Sequence, residues 1–244
     1  MSALAGRRLA LVLAHPDDET FGMGATVAHC AHEGVDVSLF CATDGDAGKS
    51  SVPVTSPAEL AMLRRNELIS AAHLLGIREI VTKGHPDKGL SALDPEQLVG
   101  DVVAFLRAMQ PDVVITFGPE GAPTGHPDHR AISRATTMAF FLAALPTEYP
   151  DAGAPHRAAR LYYATFAPPK PGAELQRLGL PPTVRIDARA WNERKREAFQ
   201  AHVTQSLHRA RFEEIAMTDE EWFTLASGVP QVDEVAGDLF EGIA

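Results

Sequence analysis

Apolar runs alternate with helix-like segments through the first 145 residues of this 244-residue chain. The run Leu9–Leu13 is continuous, which is typical of a strand buried on both faces in a parallel sheet. Such alternation predicts an α/β fold: a doubly wound, mostly parallel, Rossmann-like sheet with helices on both faces and right-handed crossovers. We expect strands at 9–13, 35–42, 80–82 and 113–117, and helices at 20–33, 56–75, 94–109 and 128–144.

The alternation weakens after Leu145. Residues 149–155 and 167–182 are rich in proline and glycine, which indicates loops. We expect strands at 160–166 and 183–186 and a helix at 191–203, while the tail from Arg211 carries only weak signals. No linker or repeat separates the two parts. The sequence therefore predicts one domain over residues 1–244, with a Rossmann-like part at about 8–145 and a C-terminal elaboration at about 146–244.

Composition and charge exclude several classes of function. The net charge is −10 at pH 7 and the pI is near 5.4, whereas nucleic-acid binding needs a basic surface. No stretch approaches the ~20 apolar residues of a membrane span, and the first apolar run is too short for a signal peptide. Cys30 and Cys41 are too few for a disulfide framework. We expect a cytoplasmic protein that binds neither nucleic acid nor membrane, with a length and loops compatible with a homo-oligomer.

Ionisable side chains cluster directly after the first predicted strand, in the segment Ala14–Glu19. Ligands bind at the carboxyl ends of strands in open α/β sheets. Burying so many ionisable groups there is costly unless a cation compensates. His15 and Asp18 lie three residues apart at the strand–helix turn, and His129 can supply a third ligand from the start of a later helix. Two imidazoles and a carboxylate suit Zn²⁺, and Fe²⁺, Co²⁺ or Mn²⁺ also fit.

The neighbours of these three residues indicate catalysis. Asp17 need not bind the metal and is placed to act as general base towards an activated water. His126, three residues before His129, can donate a hydrogen bond to a developing oxyanion, and a protonated imidazole would donate better. The alternative is that Asp17, Asp18 and Glu19 only stabilise the start of a helix. A second His/Asp cluster at the end of another predicted strand favours the metal site.

Several motifs in chain order resemble those of the PIG-L/LmbE-like zinc deacetylases, which remove N-acetyl groups from N-acetylglucosamine-containing substrates. That family includes the deacetylases of mycothiol and bacillithiol biosynthesis, and the resemblance extends over about residues 8–205. The specific motifs are Ala-His-Pro-Asp-Asp-Glu at 14–19 and His-Pro-Asp-His at 126–129. The resemblance implies that Asp17 is the general base and His126 the transition-state stabiliser. The zinc ligands that it implies are His15, Asp18 and His129.

Weaker motifs complete the resemblance: Thr-Asp-Gly-Asp-Ala-Gly at 43–48, Arg64 with Glu67, the loop 87–90, and the segment 195–205, where Thr204 replaces a serine. Arg64 is expected at the mouth of the site, gripping sugar hydroxyls or a phosphate; otherwise it forms a surface pair with Glu67. Asp44 either accepts hydrogen bonds from substrate hydroxyls or is a turn residue. The implied substrate-binding residues are Arg64, Asp44 and Asp87, and the implied supporting residues behind the ligands are Glu19, Glu67, Asp128 and His202.

We therefore expect a zinc-dependent enzyme that hydrolyses the N-acetyl amide of a small amino-sugar substrate and releases acetate and a free amine. One alternative is an amidase that acts on a thiol conjugate or another small molecule with the same metal chemistry. A second alternative is a non-catalytic carbohydrate-binding protein that contains a metal. Specificity would lie in the loops 44–56, 85–93 and 145–182, whose sequences do not reveal the substrate.

Overall fold

A computed structural model describes residues 2–122, 124–168 and 179–243; residues 169–178 of the predicted loop 167–182 lie outside the described residues. The strands are β1 (Arg8–Leu13), β2 (Asp36–Thr43), β3 (Glu79–His85), β4 (Val113–Phe117), β5 (Arg160–Thr165), β6 (Val184–Asp187) and β7 (Glu220–Gly228). The α-helices are α1 (Asp18–Phe21), α2 (Gly24–His32), α3 (Pro57–Leu75), α4 (Pro95–Met109), α5 (Pro127–Leu142), α6 (Asn192–Ala201) and α7 (Arg209–Ile215). Short 3₁₀ helices span Leu90–Ala92, Pro150–Ala152 and Val203–His208.

Within the described residues, seven strands form one sheet in the order β3-β2-β1-β4-β5-β7-β6. β1 pairs in parallel with β2 on one side and β4 on the other, and β3 and β5 extend the sheet in parallel. β7 is antiparallel to both of its neighbours. The predicted α/β architecture with a mostly parallel sheet is therefore confirmed. The strand order reverses between β1 and β4, which places a ligand crevice at their carboxyl ends.

Local sequence signals set both ends of α3. The Ser56 hydroxyl accepts the Glu59 backbone N–H at 3.2 Å, as an N-cap residue does. Pro57 occupies the first helical position, where a backbone N–H has no partner within the helix. The missing N–H of proline therefore costs no helical hydrogen bond. Gly76 ends the helix with a φ of 81°, a conformation that glycine adopts without strain. The predicted helix at 56–75 is thus confirmed, with its observed start at Pro57.

The single helix predicted at 20–33 is wrong, because the segment forms two helices, α1 and α2, interrupted at Gly22–Met23. The backbone amides of Ala25 and Thr26 in the first turn of α2 donate to the Glu221 carboxylate of β7 at 3.1 and 2.7 Å. A carboxylate at a helix N-terminus is stabilising. A contact with a strand distant in sequence therefore starts a new helix where periodicity predicts a continuous one.

The C-terminal elaboration adds α7 and β7, which the weak signals of the tail do not predict. Arg160 of β5 is fully buried, and its guanidinium donates to tail carbonyls, those of Val229, Pro230, Leu239 and Glu241. One apolar core cluster includes residues from Leu9 in β1 to Phe240 in the tail. The single domain over 1–244 stays a prediction, which this shared core supports. Among the described helices, none is both long and apolar enough to cross a membrane.

Candidate active site

The two predicted clusters meet where the strand order reverses. His15 and Asp18 follow β1, and His129 lies in the first turn of α5, which follows β4. The Asp18 carboxylate lies between the two imidazoles: Oδ2 is 3.5 Å from His15 Nδ1, and Oδ1 is 3.2 Å from His129 Nε2. One ligand atom from each residue lies within 4.8 Å of the others. These three side chains can hold one metal ion and leave a position open, as catalytic sites do.

Two further carboxylates contact the His15 ring at its other nitrogen. His15 Nε2 lies 3.1 Å from Asp87 Oδ1 and 3.3 Å from Asp128 Oδ2. Asp128 is itself fixed, because it accepts the backbone N–H groups of Lys88 and Leu90 at 2.6 and 3.1 Å. Carboxylates in this position set the tautomer and orientation of a ligating histidine. Asp87 therefore shares this supporting position with Asp128, and its expected contact with a substrate stays a prediction.

The carboxylates around His15 favour a positive charge at this position. Burial opposes an imidazolium at His15, but Asp128, Asp18 and Asp87 outweigh it and raise the pKa of His15 well above the usual value. Burial also opposes a charged Asp18, yet His129 and His15 hold the pKa of that carboxyl well below its usual range. A divalent cation at the ligand atoms supplies the same compensation as the proton and so fits the site.

His126 forms a second group of potential ligands with His15 and Asp128. Its Nδ1 accepts the backbone N–H of Asp128 at 3.1 Å, so Nε2 carries the proton of a neutral ring. Burial, and then the charges of His15 and His129, lower the pKa of His126. A protonated imidazole would be the better donor, but the structure favours a neutral ring that donates through Nε2.

Asp17 has a strained backbone conformation beside the candidate metal ligands. Its φ is 106°, which costs a residue other than glycine about 1–3 kcal/mol. Burial raises the pKa of the carboxyl to about 6, against the opposing effect of Arg64, whose Nη2 lies 3.5 Å from Oδ1. A carboxyl with a pKa near the working pH can both accept and return a proton. This environment suits the general base that the sequence predicts.

Arg64 lies behind the site and not at its mouth. Its side chain is 4% exposed and donates to the Gly45 carbonyl at 3.2 Å and to the Pro16 carbonyl. A Cβ at Gly45 or Gly48 would lie 2.2 or 2.7 Å from Arg64 Nη1. The expected position of Arg64 at the mouth of the site is therefore wrong, while its contact with sugar hydroxyls or a phosphate stays a prediction. The buried guanidinium binds backbone carbonyls, and the glycines of loop 43–48 leave room for it.

Asp44 and Glu67 are also engaged within the protein. The Asp44 carboxylate accepts two hydrogen bonds from Arg65, one from Nε at 3.1 Å and one from Nη2. The substrate contact that the resemblance implies for Asp44 stays a prediction. Glu67 accepts the backbone N–H and the hydroxyl of Thr204 at 2.8 and 2.6 Å. Glu67 thus anchors the segment after α6 to α3.

Glu19 and His202 form a fully buried pair. His202 Nε2 lies 2.6 Å from Glu19 Oε1, and both side chains are 0% exposed. Burial opposes a charged His202, but the Glu19 carboxylate outweighs it and raises the pKa of His202. The other carboxylate oxygen, Glu19 Oε2, accepts the backbone N–H of Asp17 at 3.0 Å. The pair therefore connects the C-terminal elaboration to the turn that carries Asp17.

Sequence reasoning misses two contributors to the site. Phe117, the last residue of β4, stacks on the His129 ring with centroids 3.9 Å apart and planes inclined by 2°. Lys195 forms a buried ion pair with Glu221 at 2.7 Å, and Glu221 in turn holds the start of α2. In the sequence, Phe117 is marked only as an aromatic residue before the loop that leads to His129, and Lys195 only as a lysine in a weak motif. Neither feature reveals which residue the side chain contacts.

Comparison with known proteins places the chain in a family. A family model described as PIG-L, GlcNAc-PI de-N-acetylase, matches residues 10–140. A relative from Rhodococcus jostii (strain RHA1) is 33% identical over 98% of this chain and 99% of its own, and is named 1D-myo-inositol 2-acetamido-2-deoxy-alpha-D-glucopyranoside deacetylase. The chain belongs to the PIG-L family.

Solved structures share the fold of this PIG-L family chain. The N,N'-diacetylchitobiose deacetylase from Pyrococcus horikoshii has a TM-score of 0.73 at 23% identity, covering 90% of this chain and 83% of its own. The 4-carboxy-2-hydroxymuconate hydratase from Pseudomonas putida KT2440 has a TM-score of 0.75 at 18% identity, covering 93% and 99%. Such likeness shows the fold alone. Because a hydratase shares this fold, the activity must be argued from the site.

Proposed function

We propose that this PIG-L family protein is a zinc-dependent deacetylase that removes the N-acetyl group of an N-acetylglucosamine-containing small molecule. The observation that carries the proposal is the convergence of three metal-ligand side chains beside Asp17, a buried carboxyl whose pKa is raised to about 6. A protein that only bound carbohydrate would need no such base. Membership of the family and the named activity of the Rhodococcus relative support the same reaction.

The residues of the site fit zinc. Two imidazoles and one carboxylate are donors that zinc accepts, and carboxylates contact His15 from its other nitrogen, as they do in many zinc sites. We expect one Zn²⁺ per chain, held by His15, Asp18 and His129; Fe²⁺, Co²⁺ and Mn²⁺ suit the same donors. When bound, the metal supplies Lewis-acid chemistry, which polarises an amide carbonyl and lowers the pKa of water.

Asp17 moves the proton in the proposed reaction. Its carboxylate accepts a proton from the attacking water, and the resulting carboxylic acid returns that proton to the departing sugar amine. The pKa of about 6 makes Asp17 a stronger base than an ordinary aspartate. It also leaves the protonated form acidic enough to give the proton to an amine.

His126 stabilises the charge that develops on the substrate oxygen. Its Nδ1 accepts the Asp128 backbone N–H, so the N–H at Nε2 is the donor that remains. Its ring lies edge-on to that of His15, with centroids 4.8 Å apart, and this proximity to an expected ligand supports the role. A donor at a developing oxyanion is worth about 3–4 kcal/mol of transition-state stabilisation.

The substrate is a small amino sugar whose N-acetyl group enters the crevice between β1 and β4. The names of two similar proteins specify an inositol-linked sugar and a diacetylchitobiose. The two named substrates differ in the group attached to the acetylated sugar. We therefore assign an acetamido sugar as the substrate and do not assign the group attached to it. The homo-oligomer and the cytoplasmic location expected from the sequence stay predictions.

Acetate release from metal-analysed protein tests the proposal. The panel contains the inositol glycoside, N,N'-diacetylchitobiose, N-acetylglucosamine and an amide-linked thiol conjugate, each with and without a chelator. We expect about one zinc per chain, acetate from at least one acetylated sugar, loss of activity on chelation and recovery with added zinc. Bound metal without acetate from any sugar would overturn the deacetylase, and cleavage of the thiol conjugate alone would favour the amidase alternative.

A further inference from the structure

We propose that Glu19 and His202 act as a positioning dyad that holds the backbone of Asp17 in the conformation in which its carboxyl reaches the reacting water. The proposal rests on the proposed function, because it takes Asp17 as the base. It adds a task for two residues that bond to each other and, through Glu19, to the Asp17 backbone.

Both oxygens of the Glu19 carboxylate have a hydrogen-bond partner. Oε1 faces His202 Nε2 at 2.6 Å, and Oε2 accepts the Asp17 backbone N–H at 3.0 Å. Both side chains of the pair are fully buried, so no water competes for these bonds. A buried carboxylate needs every such partner. Loss of the His202 donor would therefore free Glu19 to turn away from the Asp17 amide.

The Asp17 backbone needs this restraint. With a φ of 106° it lies in a region that non-glycine residues rarely adopt. The Asp17 carbonyl is held from the other side, since it accepts the backbone N–H of Thr20 at 3.0 Å and its hydroxyl at 2.7 Å. Rotation of the residue towards an ordinary conformation would break the Glu19 bond and swing the carboxyl. Small displacements of a catalytic group lower the rate steeply.

His202 is a fixed anchor, because the end of α6 that precedes it packs in an aromatic cluster with α7 and α1. It follows α6 directly, and its backbone N–H donates to Phe199 at 3.0 Å. Phe199 stacks on Phe212 and meets Phe21 of α1 edge to face, with centroids 4.1 and 5.4 Å away. If the pair only held the C-terminal elaboration to α1, its loss would lower the free energy of unfolding and leave kcat unchanged. If the pair positions Asp17, its loss lowers kcat.

Two substitutions of His202 distinguish these two roles. His202→Gln keeps an N–H donor near the place of Nε2, whereas His202→Leu fills a similar volume without a donor. The control is His156→Leu, which removes a half-buried histidine whose Nε2 lies 2.8 Å from the Pro111 carbonyl. Pro111 precedes β4 at the amino ends of the parallel strands, whereas Asp17 follows the carboxyl end of β1. Each protein is assayed for metal content, steady-state kinetics and hydrogen exchange of the Asp17 amide by NMR.

We expect His202→Leu to lose about 10- to 100-fold in kcat with KM changed less than about threefold and metal content unchanged. Exchange of the Asp17 amide should quicken at least about tenfold. His202→Gln should recover most of both effects, and the control should show neither. Wild-type kcat or slow Asp17 exchange in His202→Leu would overturn the dyad.

Fast exchange of the Asp17 amide in the wild type would also overturn the dyad, and this measurement needs no variant that must fold. Failure of the proposed function looks different. The wild type would then release no acetate from any sugar, while exchange at the Asp17 amide would still report whether Glu19 and His202 hold it.

Discussion

Gly45→Ala should destabilise this protein more than Gly6→Ala, although both glycines have a positive φ, of 68° and 84°. A Cβ at Gly45 would lie 2.2 Å from Arg64 Nη1 and 2.5 Å from Cζ. A Cβ at Gly6 would have no heavy atom of the described residues within 4 Å, apart from its chain neighbours. Gly6→Ala therefore measures the backbone strain alone, about 1–2 kcal/mol. The pair of variants isolates the collision with the guanidinium.

The collision adds the displacement of Arg64 from its buried position. The guanidinium donates to the Gly45 and Pro16 carbonyls, and losing such a charged hydrogen bond costs about 1.5–3 kcal/mol. We therefore expect a loss of about 2.5–5 kcal/mol in the free energy of unfolding for Gly45→Ala. Because Arg64 Nη2 lies 3.5 Å from Asp17 Oδ1, kcat should also fall in this variant and not in Gly6→Ala.

Urea unfolding followed by circular dichroism measures the two losses by linear extrapolation. Chelator is present throughout, because a bound metal would add its own binding free energy to the stability. Equal free energies of unfolding for the two variants would show that Arg64 moves without cost and would refute the collision. A Gly45→Ala enzyme that is destabilised but keeps wild-type kcat for acetate release would refute the link from Arg64 to Asp17.

The remaining predictions concern the ligands, the base and one buried pair. Asp17→Asn should keep its metal but lose about 100- to 10,000-fold in kcat, because an amide accepts no proton at neutral pH; a loss under about tenfold would contradict the assignment. His129→Ala should lose both metal and acetate release, and full metal content by elemental analysis would exclude it as a ligand. The acidic limb of kcat/KM should lie at or below about pH 6, since the base works as a carboxylate, its pKa is about 6 and a nearby cation lowers it further. A limb that rises only above about pH 7 would point to another group. Lys195→Met should cost about 3–5 kcal/mol in urea unfolding, because it leaves the buried Glu221 carboxylate without its cation, and a cost below about 1 kcal/mol would mean that Glu221 finds another partner.

The sequence by itself determined the features of this protein whose causes are local or follow from chain order. Ser56, Pro57 and Gly76 mark the ends of α3, because capping and left-handed termination involve only neighbouring residues. The continuous apolar run of β1 predicts a buried parallel strand. Polar clusters directly after two such strands predict a shared site, because parallel strands end at the same edge of a sheet. His15, Asp18 and His129 meet for that reason.

Only the tertiary structure decided which groups face each other across the chain. Arg64 turns inward onto loop 43–48 because two glycines leave a space there, and no local pattern reveals that space. His202 bonds to Glu19, which lies 183 residues earlier in the chain. Glu221 of β7 accepts the first amides of α2, where the sequence periodicity predicts one continuous helix. Propensity and spacing describe a residue's neighbours in sequence. The burial, pKa and partner of a side chain depend on neighbours in space, which are set only when the sheet and its C-terminal additions have packed.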